Sequence, residues 1–79
     1  TSERRAQLSK IAKDKTEQAR VTLRSHRTDA LHALDSITKE GGIGKDEVAR
    51  LKAEAQKLID AGNDALAKIL DKKEVEIAE

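Results

Sequence analysis

Apolar and small residues return every three or four positions through two long stretches of this chain. In the first they are Leu8, Ala12, Ala19, Leu23, Ala30, Leu34 and Ile37, close to a heptad seam. In the second, Val48, Leu51, Ala55, Leu58, Gly62, Ala65 and Ile69 alternate regularly between spacings of three and four. That period belongs to α-helices packed along a seam. The stretch "EGGIGK", Glu40 to Lys45, holds three of the four glycines and is the one strong break. The pattern predicts a helix from about Ser2 to Lys39, a turn over about 40–44, and a helix from about Lys45 to Ala78. The fold expected is all-α, a long antiparallel helical hairpin.

Local chemistry agrees with those limits. Thr1 or Ser2 can cap the first helix with a side-chain oxygen. Gly41 suits the position after its C-terminus, which calls for a left-handed backbone. Gly44 is a tolerable N-cap for the second helix, and Asp46 and Glu47 favour the positive end of its dipole. Gly62 in mid-helix costs roughly 1 kcal/mol against Ala. Its seam position points either to close approach by the partner helix or to a local weakness. Each helix would be roughly 50–57 Å long at 1.5 Å per residue. Further apolar residues lie beside the seams: Ile11, Val21, Leu31 and Ala33 in the first helix, Ile59, Leu66, Leu70 and Ile77 in the second. Two helices bury one narrow seam, so a third helix or a partner chain is expected to cover the rest.

Composition narrows the function classes. The chain has 79 residues, enough for at most one small domain. Cys, Met, Pro and all aromatic residues are absent. Without cysteine there is no disulfide and no thiolate metal site. Without aromatics there is no platform on which single-stranded bases stack. Charged residues make up 39%, a composition of long helices and coiled coils. No apolar run approaches the length of a membrane span, and the start "TSERRAQLSK" lacks the apolar region of a signal peptide. "RAQLSKIAKDK" lacks the bulk and aromatic anchors of a membrane-surface helix.

The formal net charge of +1 hides an asymmetry. Residues 1–40 hold nine Lys/Arg and six Asp/Glu, and residues 41–79 hold seven and nine. The positive half contains Arg20, Arg24 and Arg27, a line with no acidic residue inside it. At about 100° per residue these three fall within about 60° of one another. The same arithmetic puts the stripe roughly 100° from Ala19, Leu23 and His26, so it is expected to face outward. Like charges so spaced repel by a few tenths of a kcal/mol. Glu17 can relieve the first two in part, and Arg20 is expected to be the more weakly acting arginine for that reason. An uncompensated stripe of forked guanidinium groups suits phosphate binding. A solvated charged face is the alternative reading of the same residues.

The wider pattern carries more. "SERRAQLSKIAKDKTEQARVTLRSHRTDAL" resembles the second bundle helix of ribosome recycling factor. "GIGKDEVARLKAEAQKLIDAGNDALAKILDKKEVEIAE" resembles the loop and helix that follow in that family. The resemblance covers essentially the whole chain. It implies two helices of a long three-helix bundle, domain I, whose first helix and inserted β-rich domain II are absent here. It implies a fragment, or the ordered part of a larger chain. It implies binding to the ribosomal RNA of the large ribosomal subunit, with splitting of post-termination ribosomes together with elongation factor G. The family's RNA-contacting arginines match Arg20, Arg24 and Arg27. Three departures stand out. Ser25 replaces the family's usual Asn, Thr28 replaces the second residue of an Arg-Arg pair, and Gly44 replaces a helix-capping Ser. The Arg-Thr version is similar to some mitochondrial forms, which favours an organellar member over one of bacterial-type cytoplasm.

No constellation points to an enzyme. Ser25, His26 and Asp29 point in different directions round a helix, with no oxyanion hole nearby. His26 and His32 are six apart and do not share a face as metal ligands would; His26 reads as a partly packed seam residue. "GGIG" joins two helices without a preceding strand, so it is no phosphate loop. Asp60, Asp64 and Asp71 read as a solvated face, with contact to a basic partner as the alternative. No catalytic residue, metal, cofactor or small-molecule substrate is expected. The competing reading is a structural coiled coil or adaptor hairpin without an RNA partner.

Overall fold

A computed structural model describes all 79 residues. Two helices, α1 (Ser2–Lys39) and α2 (Lys45–Ala78), fold back on each other as an antiparallel hairpin with no strand. The Thr1 side chain accepts a hydrogen bond from the Arg4 amide at 3.2 Å, which satisfies one of the free donors of the first turn of α1. At the other end, the Gly41 amide donates to Thr38 O at 3.0 Å and the Gly42 amide to Ile37 O at 3.1 Å. This paired arrangement is a Schellman motif. It needs a left-handed residue, and Gly41 supplies it with φ +76°. Gly44 caps α2 in extended conformation without a side-chain bond. Asp46 and Glu47 in the first turn compensate through the helix dipole.

The hairpin is a slab of 60 × 15 × 9 Å with a radius of gyration of 18.0 Å. A compact domain of this length would have a radius near 12 Å. Such a shape has almost no interior, and Val48 alone is buried, at 7% exposure. The helices meet along Ala12, Thr16, Ala19, Leu23, Ala30, Leu34 and Thr38 of α1 and Val48, Ala55, Ile59, Gly62, Leu66 and Leu70 of α2, all buried or half-buried. The hydroxyls of Thr16 and Thr38 are satisfied within the helix, by Ala12 O at 2.8 Å and Leu34 O at 2.7 Å. At Gly62 the close approach is real. A Cβ there would stand 3.0 Å from Leu23 Cδ1.

On α1 the expected seam holds, with Leu8, Ala12, Ala19, Leu23, Ala30 and Leu34 all half-buried and only Ile37 turned out, whereas on α2 it is rotated. Leu58 and Ile69 are 73% and 64% exposed, Ile37 is 40% exposed, and His26 and Ala65 are exposed. Ile59, Leu66 and Leu70, expected beside the seam, are half-buried and take their place. The reason is that α2 carries two adjacent apolar stripes, and its own period does not say which one meets the partner. The unused stripes face the same side. Leu8, Ile11, Ile69 and Ile77 there line an open groove of about 620 Å³ toward the distal end of the hairpin. Neither helix is long and apolar enough to cross a membrane.

Candidate nucleic-acid interface

Arg20, Arg24 and Arg27 remain one stripe of α1, because spacings of four and three keep them on one side of the helix. The half-burial of Arg20 and the reach of Arg27 to α2 set the stripe at the border of the α1–α2 junction, away from the apolar groove, where a fully outward face was expected. Arg20 is half-buried, while Arg24 and Arg27 are exposed. Arg27 reaches across the junction: its Nε donates to Gln56 Oε1 of α2 at 2.8 Å. The Gln56 amide donates in turn to Asp60 Oδ1 at 2.9 Å. Asp60 is thus drawn into the edge of this surface, whereas Asp64 and Asp71 are simply exposed.

Charge compensation along the stripe is slight. Arg20 and Arg27 form no ion pair, and only Arg24 does, with Glu17 at 3.4 Å. Both partners of that pair are more than half exposed, so solvent screens it heavily. The expectation that Glu17 would engage Arg20 is therefore corrected. Residues 17 and 24 are two turns apart and lie along one edge, while Arg20 is half-buried and pairs with no carboxylate.

Arg50 on α2 shows what a fully compensated arginine looks like in the same molecule. Its Nη1 donates to Glu54 at 2.7 Å, its Nε donates to Glu47 at 3.0 Å, and its Nη2 also donates to Glu47. Those hydrogen bonds hold the Glu47 carboxyl below the usual carboxylate range and push the Arg50 guanidinium above its own. Lys10 is likewise pushed up by its hydrogen bond to Asp14, at 2.9 Å. Arg20 and Arg27 have no such carboxylate, so the Arg20 guanidinium and both Nη groups of Arg27 remain free for an external anion.

Three more polar ties fix the register on this side, one of them from Lys13 to Glu74 at 3.5 Å. Ser9 Oγ donates to Glu74 at 3.0 Å, and Lys52 lies 3.0 Å from Asp35. Sequence reasoning missed Gln56, because a lone neutral amide on a charged helix reads as ordinary surface. A signal was present in the turn. With the break centred near residue 42, residues equally distant from it along the two helices face each other, and 27 and 56 are nearly so placed. Ser25, His26 and Asp29 are all exposed, and no group of His, Asp and Glu side chains is gathered where it could hold a metal ion.

The chain matches the family model described as ribosome recycling factor over residues 1–77. It is 43% identical over 77 residues to the ribosome-recycling factor of Kineococcus radiotolerans, covering 98% of this chain and 42% of that protein. It is 43% identical over 79 residues to that of Oleidesulfovibrio alaskensis and 40% identical over 79 residues to that of Paenarthrobacter aurescens. Both alignments cover this whole chain and 43% of the relative, so the chain spans less than half the length of these proteins. No solved structure matches it significantly. These relatives are bacterial, and the organellar expectation drawn from Thr28 finds no support among them. Matched over nearly its full length, the chain belongs to the ribosome recycling factor family.

Proposed function

We propose that this chain serves ribosome recycling as two helices of the domain I bundle. It would dock on ribosomal RNA of the large subunit, and subunit separation would be driven with elongation factor G. The hairpin acts as a rigid body, and no bond is made or broken on it. Arg20, Arg24 and Arg27 grip the RNA backbone. The observation that carries this reading is the arginine line itself: Arg20 and Arg27 have no carboxylate partner, while Arg50 in the same molecule has two. Guanidinium groups in that state offer charge-assisted, bidentate bonds to phosphate.

The test is binding to bacterial large ribosomal subunits across a salt series. Arg24→Ala and Arg27→Ala should each weaken binding by roughly 1–3 kcal/mol, the worth of a charge-assisted hydrogen bond to phosphate. The dependence on salt should become shallower, since a surface that neutralises fewer phosphates releases fewer counterions. Asp64→Ala is the control. If the arginine variants keep the affinity and salt slope of the parent chain, the stripe is not an RNA grip. The uncovered apolar groove favours a second reading, a structural hairpin whose partner is another protein surface. Under that reading binding would be nearly insensitive to salt and would be abolished by Ile69→Lys instead.

A further inference from the structure

The Arg27–Gln56 bond belongs to a longer alignment. The residue numbers of Arg27 and Gln56 add to 83, as do those of Ser9 and Glu74, while the other two polar ties across this side of the junction, Lys13 with Glu74 and Asp35 with Lys52, lie one turn further on at 87. Arg20 and Asn63 fall on the same line, each seven residues from the first pair, so they occupy the next equivalent rung. Both are half-buried, and Asn63 Oδ1 is a buried oxygen with no hydrogen-bond partner. Buried acceptors are normally satisfied. An unsatisfied one at the rung of a half-buried arginine marks a place for that arginine's N–H.

We propose that Gln56 and Asn63 of α2 are positioning residues for Arg27 and Arg20, so that the phosphate-gripping surface is built by both helices. This rests on the RNA-binding reading above. Guanidinium has five N–H donors in a planar fork. Gln56 takes the one on Nε and leaves both Nη groups, the pair that meets a phosphate end-on, unoccupied. The bond from the Gln56 amide to Asp60 fixes which way that amide points, and so keeps its oxygen toward Arg27. Asp60 acts here through a neutral relay, without cancelling the arginine's charge by direct pairing. A long side chain held in its binding pose before the ligand arrives avoids part of the ordering cost of binding.

Gln56→Met keeps the length and helix preference of the side chain and removes the acceptor. It should weaken binding to large ribosomal subunits by about 3–10-fold, the affinity equivalent of one side chain's freedom. Because the charge is unchanged, the salt slope should stay that of the parent chain, whereas Arg27→Ala should flatten it. The double variant should bind as Arg27→Ala does alone. In NMR spectra the Arg27 Nε–H should exchange slowly with water in the parent and fast in Gln56→Met, with helicity unchanged. Asn63→Leu should act on Arg20 in the same way. If Gln56→Met binds like the parent while Arg27→Ala is weakened, or if their effects simply add, the positioning role is wrong and the RNA reading stands. If Arg27→Ala binds like the parent, or the parent does not bind, the RNA reading itself fails and takes this inference with it.

Discussion

Gly62 offers a sharp test of the packing, because two opposing effects of similar size meet there. Replacing it by Ala removes the backbone entropy penalty of a mid-helix glycine and should gain about 0.8–1 kcal/mol. The new Cβ, however, would lie 3.0 Å from Leu23 Cδ1 and 3.5 Å from Cδ2. Carbon atoms prefer separations of about 3.5–4.0 Å, so the Leu23 terminus must withdraw by roughly half an ångström. Leu23 is half-buried and projects from a helix with nothing packed behind it, so it can give. A side chain pushed off its rotamer costs about 0.5–1.5 kcal/mol. Gly62→Ala should therefore change stability by no more than about 0.7 kcal/mol in either direction. In a Leu23→Ala background the obstruction is gone, and the same substitution should show the full gain of about 1 kcal/mol. For a chain of this size each kcal/mol moves the melting temperature by about 4–8 °C. Thermal melts of the four proteins, followed by circular dichroism at equal concentration, close the cycle. Equal gains from Gly62→Ala in both backgrounds would mean that Leu23 and Gly62 do not touch.

The turn should answer unequally to substitution: Gly44→Ser adds the missing side-chain cap and should stabilise by a few tenths of a kcal/mol, while Gly41→Val strains the left-handed position and should cost about 1 kcal/mol or more. Equal shifts in melting temperature would misplace the turn. The Glu47 carboxyl should titrate below the usual value of 4.5. Its folded-state value is depressed, so the stabilisation from its bond to Arg50 is present above the unfolded value and lost as pH falls through the folded one; NMR titration of Arg50→Gln should return Glu47 to the ordinary range. Because the apolar stripe of Ile11, Leu58 and Ile69 is open, the melting temperature should rise with protein concentration as copies cover it. Analytical ultracentrifugation showing a monomer with a concentration-independent transition would count against that.

How much of this is legible in the sequence differs by level. The two helices, the hairpin and the left-handed Gly41 follow from local signals: an apolar period, a single glycine break and a known terminal motif. The choice between Leu58–Ile69 and Ile59–Leu66–Leu70 as the packed stripe is not legible, since both have helical spacing and only the pairing of the helices separates them. The half-burial of Arg20 and the bond from Arg27 to Gln56, which bring the arginine stripe from an outward face to the border of the junction, are not legible either. Arg20, Arg24 and Arg27 are legible as a stripe because spacing alone puts them together. Their surroundings are not, because Gln56 and Asn63 lie some thirty to forty positions away along the chain and enter only through the register.

The fixed register also sets an order of assembly. Each pair across the junction lies farther from the turn than the one before, from the neighbourhood of Val48 out to Ser9 and Glu74, 65 residues apart. Bringing the first pairs together closes a short loop, and every later pair adds little further chain entropy once its neighbour is in place. Such a hairpin folds as a zipper that starts at the glycine turn, where the one well-buried side chain waits, and runs outward past the arginine rungs. Val48→Ala should then slow folding, while Leu8→Ala should mainly hasten unfolding, a contrast that stopped-flow kinetics can read. The open end, where Leu8 and Ile77 line the groove, closes last and frays first, so the molecule is most yielding at the end farthest from its turn.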